Sequence, residues 1–235
     1  MANRTSETLR DMYDRLLGAY GPQGWWPGNS TEEMVIGAIL TQNTQWRNVE
    51  RALANLRSRG WLNWAALRAA PLAALAELIR PAGYYNIKAR RLKNLVEWLF
   101  REAGGDLSRL RGRSTAELRE SLLSVSGVGR ETADAILLYA LGHATFVVDA
   151  YTARVAKRHR LIDVDAGYEE LKELYEANLP RDAALFNEYH ALLVAVGKKH
   201  CKPQARCAGC PLECFPRDES LCGAIERDRD PDGGS

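Results

Sequence analysis

The first 200 residues of this 235-residue chain contain no cysteine, and all five cysteines fall between Cys201 and Cys222. A disulfide framework would be spread along the chain. An odd number gathered in one short stretch points instead to a metal site in a reducing compartment. No apolar run comes near the roughly 18 to 20 residues a membrane span requires. The N-terminal MANRTSETLRDMYDRLL mixes charges with apolar residues at helical spacing and lacks the continuous apolar segment of a secretory signal. These absences predict a cytoplasmic protein with no membrane partner. Net charge is also scarce: 32 Lys plus Arg against 30 Asp plus Glu leave +2, so the total alone does not announce a nucleic-acid binder. Compositional bias is missing too, since 46% hydrophobic and 26% charged residues exclude a collagen-like or disordered chain.

Only Thr145 to Val148 reads as extended, and four residues make no sheet. Elsewhere the period is helical. Ser30-Thr31-Glu32-Glu33 has capping-box spacing ahead of the apolar run Met34 to Leu40. Pro71 opens a helix that the Pro81-Ala82-Gly83 break ends. Leu92, Leu95, Val96 and Leu99 then form one stripe, with Lys88, Arg90, Arg91 and Lys93 around it. A second box, Ser114 to Glu117, starts a helix carrying Leu118, Leu122 and Leu123, and further helices are expected at about 150–160, 167–178 and 182–197. The fold class is therefore all-α, with no repeat at a solenoid period. The tail at 226–235 has nothing to bury and is expected to be disordered.

The most specific stretch is SVSGVGRETADAILLYALG, where one helix stops, the chain turns through Gly127-Val128-Gly129, and another begins. Two glycines permit positive φ and bring bare backbone to the surface. The amides of such a turn suit one phosphate oxygen, although the same pattern also makes an ordinary corner between helices. Twenty residues later Phe146-Val147-Val148 ends in Asp149, followed by the basic AYTARVAKRHR. Taken alone, Asp149 is a helix N-cap. Taken together, Leu122 to Ala133, the Val-Asp before a helix and the cysteine cluster resemble the helix-hairpin-helix DNA glycosylase superfamily of the endonuclease III type. The resemblance runs from about residue 30 to Cys214.

That resemblance implies two helical lobes: 31–143 with the hairpin, and a discontinuous lobe of 1–30 with 144–235, with the active-site cleft between them. It places the catalytic carboxylate at Asp149, where it would stabilise positive charge developing on the sugar and activate the attacking group. It assigns DNA contacts to Gly127, Gly129 and Arg130. Bifunctional members carry a Schiff-base lysine directly after Gly-Val-Gly-Arg, whereas this chain has Glu131, and a carboxylate cannot form an imine. A glycosylase that uses water is implied, with Glu131 as a second pocket carboxylate or simply a first-turn residue favoured by the helix dipole. Trp25-Trp26-Pro27 and Leu40-Thr41-Gln42-Asn43-Thr44 look most like the 3-methyladenine branch, in which aromatic residues sandwich an electron-poor base. Trp25, Trp26 and Trp46 are the pocket candidates, against the blander role of core plugs. Gln42 and Tyr84 match the two positions that enter the duplex, although Tyr84 is otherwise a surface loop aromatic. Ala38 stands where the adenine-mismatch branch places a glutamate, so that substrate is not expected.

The family's cluster loop, C-x6-C-x2-C-x5-C, implies a [4Fe–4S] cofactor with a structural role. Cys201, Cys207 and Cys210 are assigned to its first three positions, with the first interval one residue shorter here. Cys214 is the favoured fourth ligand, and Cys222 is the alternative. With the hairpin and wedge assigned, the charge distribution gains meaning: residues 86–101, 150–160 and 198–206 each carry a net +4, leaving −10 for the remainder. These segments lie beside the proposed DNA elements. The expected function is base excision on damaged double-stranded DNA by a monomeric, nucleoid-associated enzyme, with alkylated purine favoured. The alternatives are an oxidised-pyrimidine glycosylase with weak lyase activity, or a non-catalytic protein that binds damaged or abasic DNA.

Overall fold

The computed structural model describes residues 2–25 and 30–223; Trp26 and the tail at 226–235 lie outside them. Among the described residues the chain forms helices and loops and no strand. In order these are α1 (Ala2–Tyr20), α2 (Thr31–Leu40), α3 (Trp46–Ser58), α4 (Trp64–Ala69), α5 (Leu72–Leu78), α6 (Tyr85–Ala103), α7 (Thr115–Leu123), α8 (Arg130–Ala135), α9 (Ala150–Arg158), α10 (Tyr168–Asn178), α11 (Ala183–Lys199) and α12 (Ser220–Gly223). Short 3-10 turns cover Arg80–Ala82 and Leu107–Leu110, and α8 runs on as a π-helical segment, Ile136–Ala140. Two compact units result, one of residues 26–143 and one of residues 1–25 with 144–235.

In the 26–143 unit, α2 is apolar almost all round and is correspondingly central, with Ile36, Ile39 and Leu40 fully buried. Its start is fixed by Ser30, whose hydroxyl accepts from the Glu33 amide, while the Glu33 carboxylate pairs with Arg57 of α3. The α6 stripe packs as its spacing requires: Leu92, Leu95, Val96 and Leu99 are at most 1% exposed, and each such side chain contributes about 1.5–3 kcal/mol. Lys88 departs from the expected charged face and is itself buried. The capping box at Ser114 forms in full and starts α7. Arg119 of α7 then grips the wholly buried Asp134 of α8 with two hydrogen bonds of 2.9 and 3.1 Å, fixing the hairpin's helices to each other.

In the other unit, α11 packs against α1 and α9, and α10 packs against α1 and α9. Phe146 stacks on Tyr175 at 4.1 Å, and Tyr189 donates to the Leu9 carbonyl at 2.8 Å, tying α11 to α1. The extended stretch before Asp149 has no ladder to satisfy its backbone. The Glu176 carboxylate does so instead, accepting from the Phe146 amide at 2.7 Å and the Thr145 hydroxyl at 3.1 Å.

Candidate active site and metal centre

Asp149 caps α9: its Oδ1 accepts from the Thr152 amide at 2.8 Å, which fixes the carboxylate at the helix start. The other oxygen, Oδ2, lies 3.7 Å from Nε2 of His190, a residue of α11 that the sequence reading did not single out. Burial lowers the His190 pKa and the Asp149 charge opposes that shift. An isolated histidine on an apolar helix gave no signal of this neighbour. Trp25 ends the N-terminal segment of the same unit, with the Lys198 ammonium over its ring at 5.8 Å from the centroid. One face of that indole therefore already meets a cation.

The other far end of α9 reaches the cysteines. Arg158 is 1% exposed, and its guanidinium donates to the carbonyls of Leu221, Lys202 and Pro203 and to Sγ of Cys201 at 3.2 Å. The Ala205 amide in turn donates to the Cys222 carbonyl at 3.0 Å, folding the 218–223 segment back onto the loop. Cys201, Cys207, Cys210 and Cys222 consequently line one cavity. Cys214, which spacing favoured, is exposed and is not among the lining residues. Sequence spacing could not show that α12 returns, because that return depends on Arg158 and Ala205. Burial raises the thiol pKa of Cys210, with the neighbouring Cys201 and Cys207 adding to it, and burial and Cys207 likewise raise that of Cys222. Among the described residues no three such side chains converge tightly enough to hold a single ion. The four cavity-lining thiols are a donor set of the kind that ligates an iron–sulfur cluster, and the buried Arg158 cation would offset part of the thiolate charge.

In the 26–143 unit, Gly127 takes φ +96°, the left-handed region that favours glycine, with Arg91 packed beneath it. Gly129 does not: at φ −89° it is ordinary extended backbone, exposed, with open space where a Cβ would stand. Arg130 and Glu131 follow in the first turn of α8, both exposed. Gln42 is held by this hairpin, its Nε2 donating to the Gly127 carbonyl at 3.1 Å and to Oγ1 of Thr132 at 3.0 Å, while Arg91 donates to its Oε1 at 2.7 Å. Tyr84 stands just before α6, 68% exposed, in a left-handed conformation. Trp46 is the first residue of α3 and is half-buried. Two cations of the three basic segments, Lys88 and Arg158, are buried, so they add nothing to a surface footprint.

Residues 36–181, which contain the hairpin and Asp149, match the HhH-GPD superfamily of base excision DNA repair proteins. The chain belongs to this superfamily. It is 46% identical over 92% of its length to the "Putative DNA repair glycosylase MJ1434" of Methanocaldococcus jannaschii, covering 98% of that protein. It is 30% identical to the endonuclease III of Bacillus subtilis over 64% of each chain. Among solved structures, the 3-methyladenine DNA glycosylase MagIII of H. pylori, bound to 1,N6-ethenoadenine, is similar with TM-score 0.70 and 30% identity, over 83% of this chain and 97% of that one. An endonuclease III in a non-covalent DNA complex shares the fold, with TM-score 0.77 over 90% of this chain and 95% of that one. The HhH-GPD chain is thus a DNA N-glycosylase by family. No helix among its described residues is long and apolar enough to cross a membrane.

Proposed function

We propose that this protein hydrolyses the N-glycosidic bond of an alkylated purine in damaged double-stranded DNA, without the lyase step. The observation that carries the reading is Asp149, a carboxylate fixed at a helix start inside the matched region, with one oxygen held by the Thr152 amide and the other beside His190. As the base departs with the bonding electrons, positive charge develops on the sugar, and an anion held there without reorganisation stabilises it. Water then adds to the sugar carbon and gives its proton to the carboxylate. Glu131, in place of an amine nucleophile, supports hydrolysis over imine formation. The likeness to MagIII supports the alkylated-purine class, with Trp25 and Trp46 as the candidate stacking residues. Gly127, Gly129 and Arg130 would meet the DNA backbone.

Cys201, Cys207, Cys210 and Cys222 would hold a [4Fe–4S] cluster, Cys222 taking the place that spacing gives to Cys214. When bound, that group supplies a cross-link that folds a loop too short for a core of its own. The second reading is an oxidised-pyrimidine glycosylase of the endonuclease III type, the type by which the Bacillus relative is named. Duplexes carrying a methylated purine, an oxidised pyrimidine or an abasic site, incubated with and without alkali, separate the two. The expected outcome is release of the methylated base, strand cleavage only after alkali, and no borohydride-trapped adduct. For Asp149→Asn the release rate drops by about 100-fold or more. Absence of base release from every duplex overturns the enzyme reading, and efficient trapping overturns the monofunctional one.

A further inference from the structure

Lys88 is 2% exposed, yet its hydrogen bonds go to backbone rather than to a carboxylate. Its Nζ donates to the Leu40 carbonyl at 2.9 Å and to the Ala82 carbonyl at 2.8 Å. Leu40 ends α2, two residues before Gln42, and Ala82 ends the 3-10 turn, two residues before Tyr84. One ammonium therefore ties together the backbones of two loops that are distant in sequence, each just ahead of a residue assigned to enter the duplex. Both loops are also strained. Among the described residues only Asn43 (φ 52°), Tyr84 (φ 44°) and Arg160 (φ 55°) are non-glycine residues at positive φ, and two of the three stand in these loops. Such conformations persist only where the surroundings hold them. An apolar side chain would fill the same volume, but it would tether neither carbonyl. One turn further along α6, Arg91 holds the Gln42 side chain itself.

We propose that Lys88 is a positioning residue for damage recognition, holding the Gln42 and Tyr84 loops in one register so that both side chains enter the duplex as a unit. The proposal rests on the wedge assignment of Gln42 and Tyr84. A purely structural lysine would affect folding without affecting what the wedge does to DNA. The test uses the full chain and a duplex with 2-aminopurine beside a tetrahydrofuran abasic analogue, whose fluorescence rises when an entering side chain unstacks it. For Lys88→Met, the rise falls by about fivefold or more because the wedge is misplaced. Affinity for undamaged duplex, which is set by phosphate contacts, stays within about twofold. A wild-type rise in Lys88→Met overturns the proposal. Gln42→Ala and Tyr84→Ala serve as references: if neither lowers the rise, the wedge assignment fails and the proposal with it; if they lower it and Lys88→Met does not, only the clamp fails. Should Lys88→Met not fold, hydrogen exchange on the wild-type protein decides. The Thr44 and Gly83 amides, one in each loop, are expected to open together, and protections differing by more than about tenfold would overturn the clamp.

Discussion

Replacing Gly127 by alanine tests the hairpin more sharply than removing any side chain. The new Cβ would fall 2.1 Å from Cγ, 2.7 Å from Cδ and 2.9 Å from Cβ of Arg91, at a backbone φ of +96°. The backbone part costs about 1–2 kcal/mol, since an L-residue resists positive φ. Relieving the overlap costs about 1–3 kcal/mol more, because Cγ and Cβ are the root of the arginine and not its adaptable end. The total of about 2–5 kcal/mol corresponds to a fall in Tm of roughly 4–20 °C for a chain of this size. Arg91 must also swing away from Gln42, so the 2.7 Å bond between them is lost. Calorimetry or circular dichroism melts measure the total, and the double variant with Arg91→Ala separates its parts, relieving the Cγ and Cδ overlaps and leaving the φ share together with the 2.9 Å contact to Cβ of residue 91. Gly129→Ala is the matched control. With φ −89° and nothing within 4 Å of a Cβ, it should change stability by less than about 0.5 kcal/mol, while the methyl weakens DNA binding by holding off the backbone. A Gly127→Ala protein that melts within 2 °C of the parent, against the estimate of roughly 4 °C or more, would refute the steric argument.

Other outcomes follow from the same geometry. Cys222→Ser should abolish the broad visible absorbance of an iron–sulfur protein, whereas Cys214→Ser should retain it; the reverse pattern would restore Cys214 as the fourth ligand. Arg119→Ala withdraws two hydrogen bonds and the paired charge from the wholly buried Asp134 carboxylate and should cost up to about 3–5 kcal/mol in denaturant titrations. Burial pulls the Lys88 pKa from 10.5 down to about 8, with the Arg91 charge adding to it. Between those values the unfolded chain holds a proton that the folded chain has released, so the penalty for burying the charge is full below pH 8 and gone above pH 10.5. The stability of the wild type relative to Lys88→Met should therefore rise with pH across that window, and a flat or falling difference contradicts the assignment.

Sequence patterns exposed what local rules govern. The Ser114 box, the α6 stripe, the Asp149 cap and the glycine turn each depend on neighbours within a few residues, and each forms where its spacing places it. What stayed hidden depends on residues far apart in the chain. Lys88 reads as part of a charged helix face because its carbonyl partners, Leu40 and Ala82, are not encoded beside it. Arg158 reads as one more cation in a basic helix, although it organises segments 43 to 63 residues away. Cys222 ranked behind Cys214 in spacing for the same reason, since its return to the loop runs through Arg158 and Ala205. His190 offered no pattern at all, since a lone histidine among leucines meets Asp149 only once α9 and α11 pack.

The bidentate grip of Arg119 on Asp134 bears on how such an enzyme finds rare damage. A turn between helices locked this way has little freedom left to lose, so contact with a phosphate requires no prior ordering. Binding through a single preformed, sequence-blind contact is quick to make and quick to break. A protein that engages every stretch of duplex in this manner samples many positions per unit time, and its residence at each is set by salt rather than by refolding. On the proposed phosphate contact of the hairpin, the buried ion pair would favour speed of search.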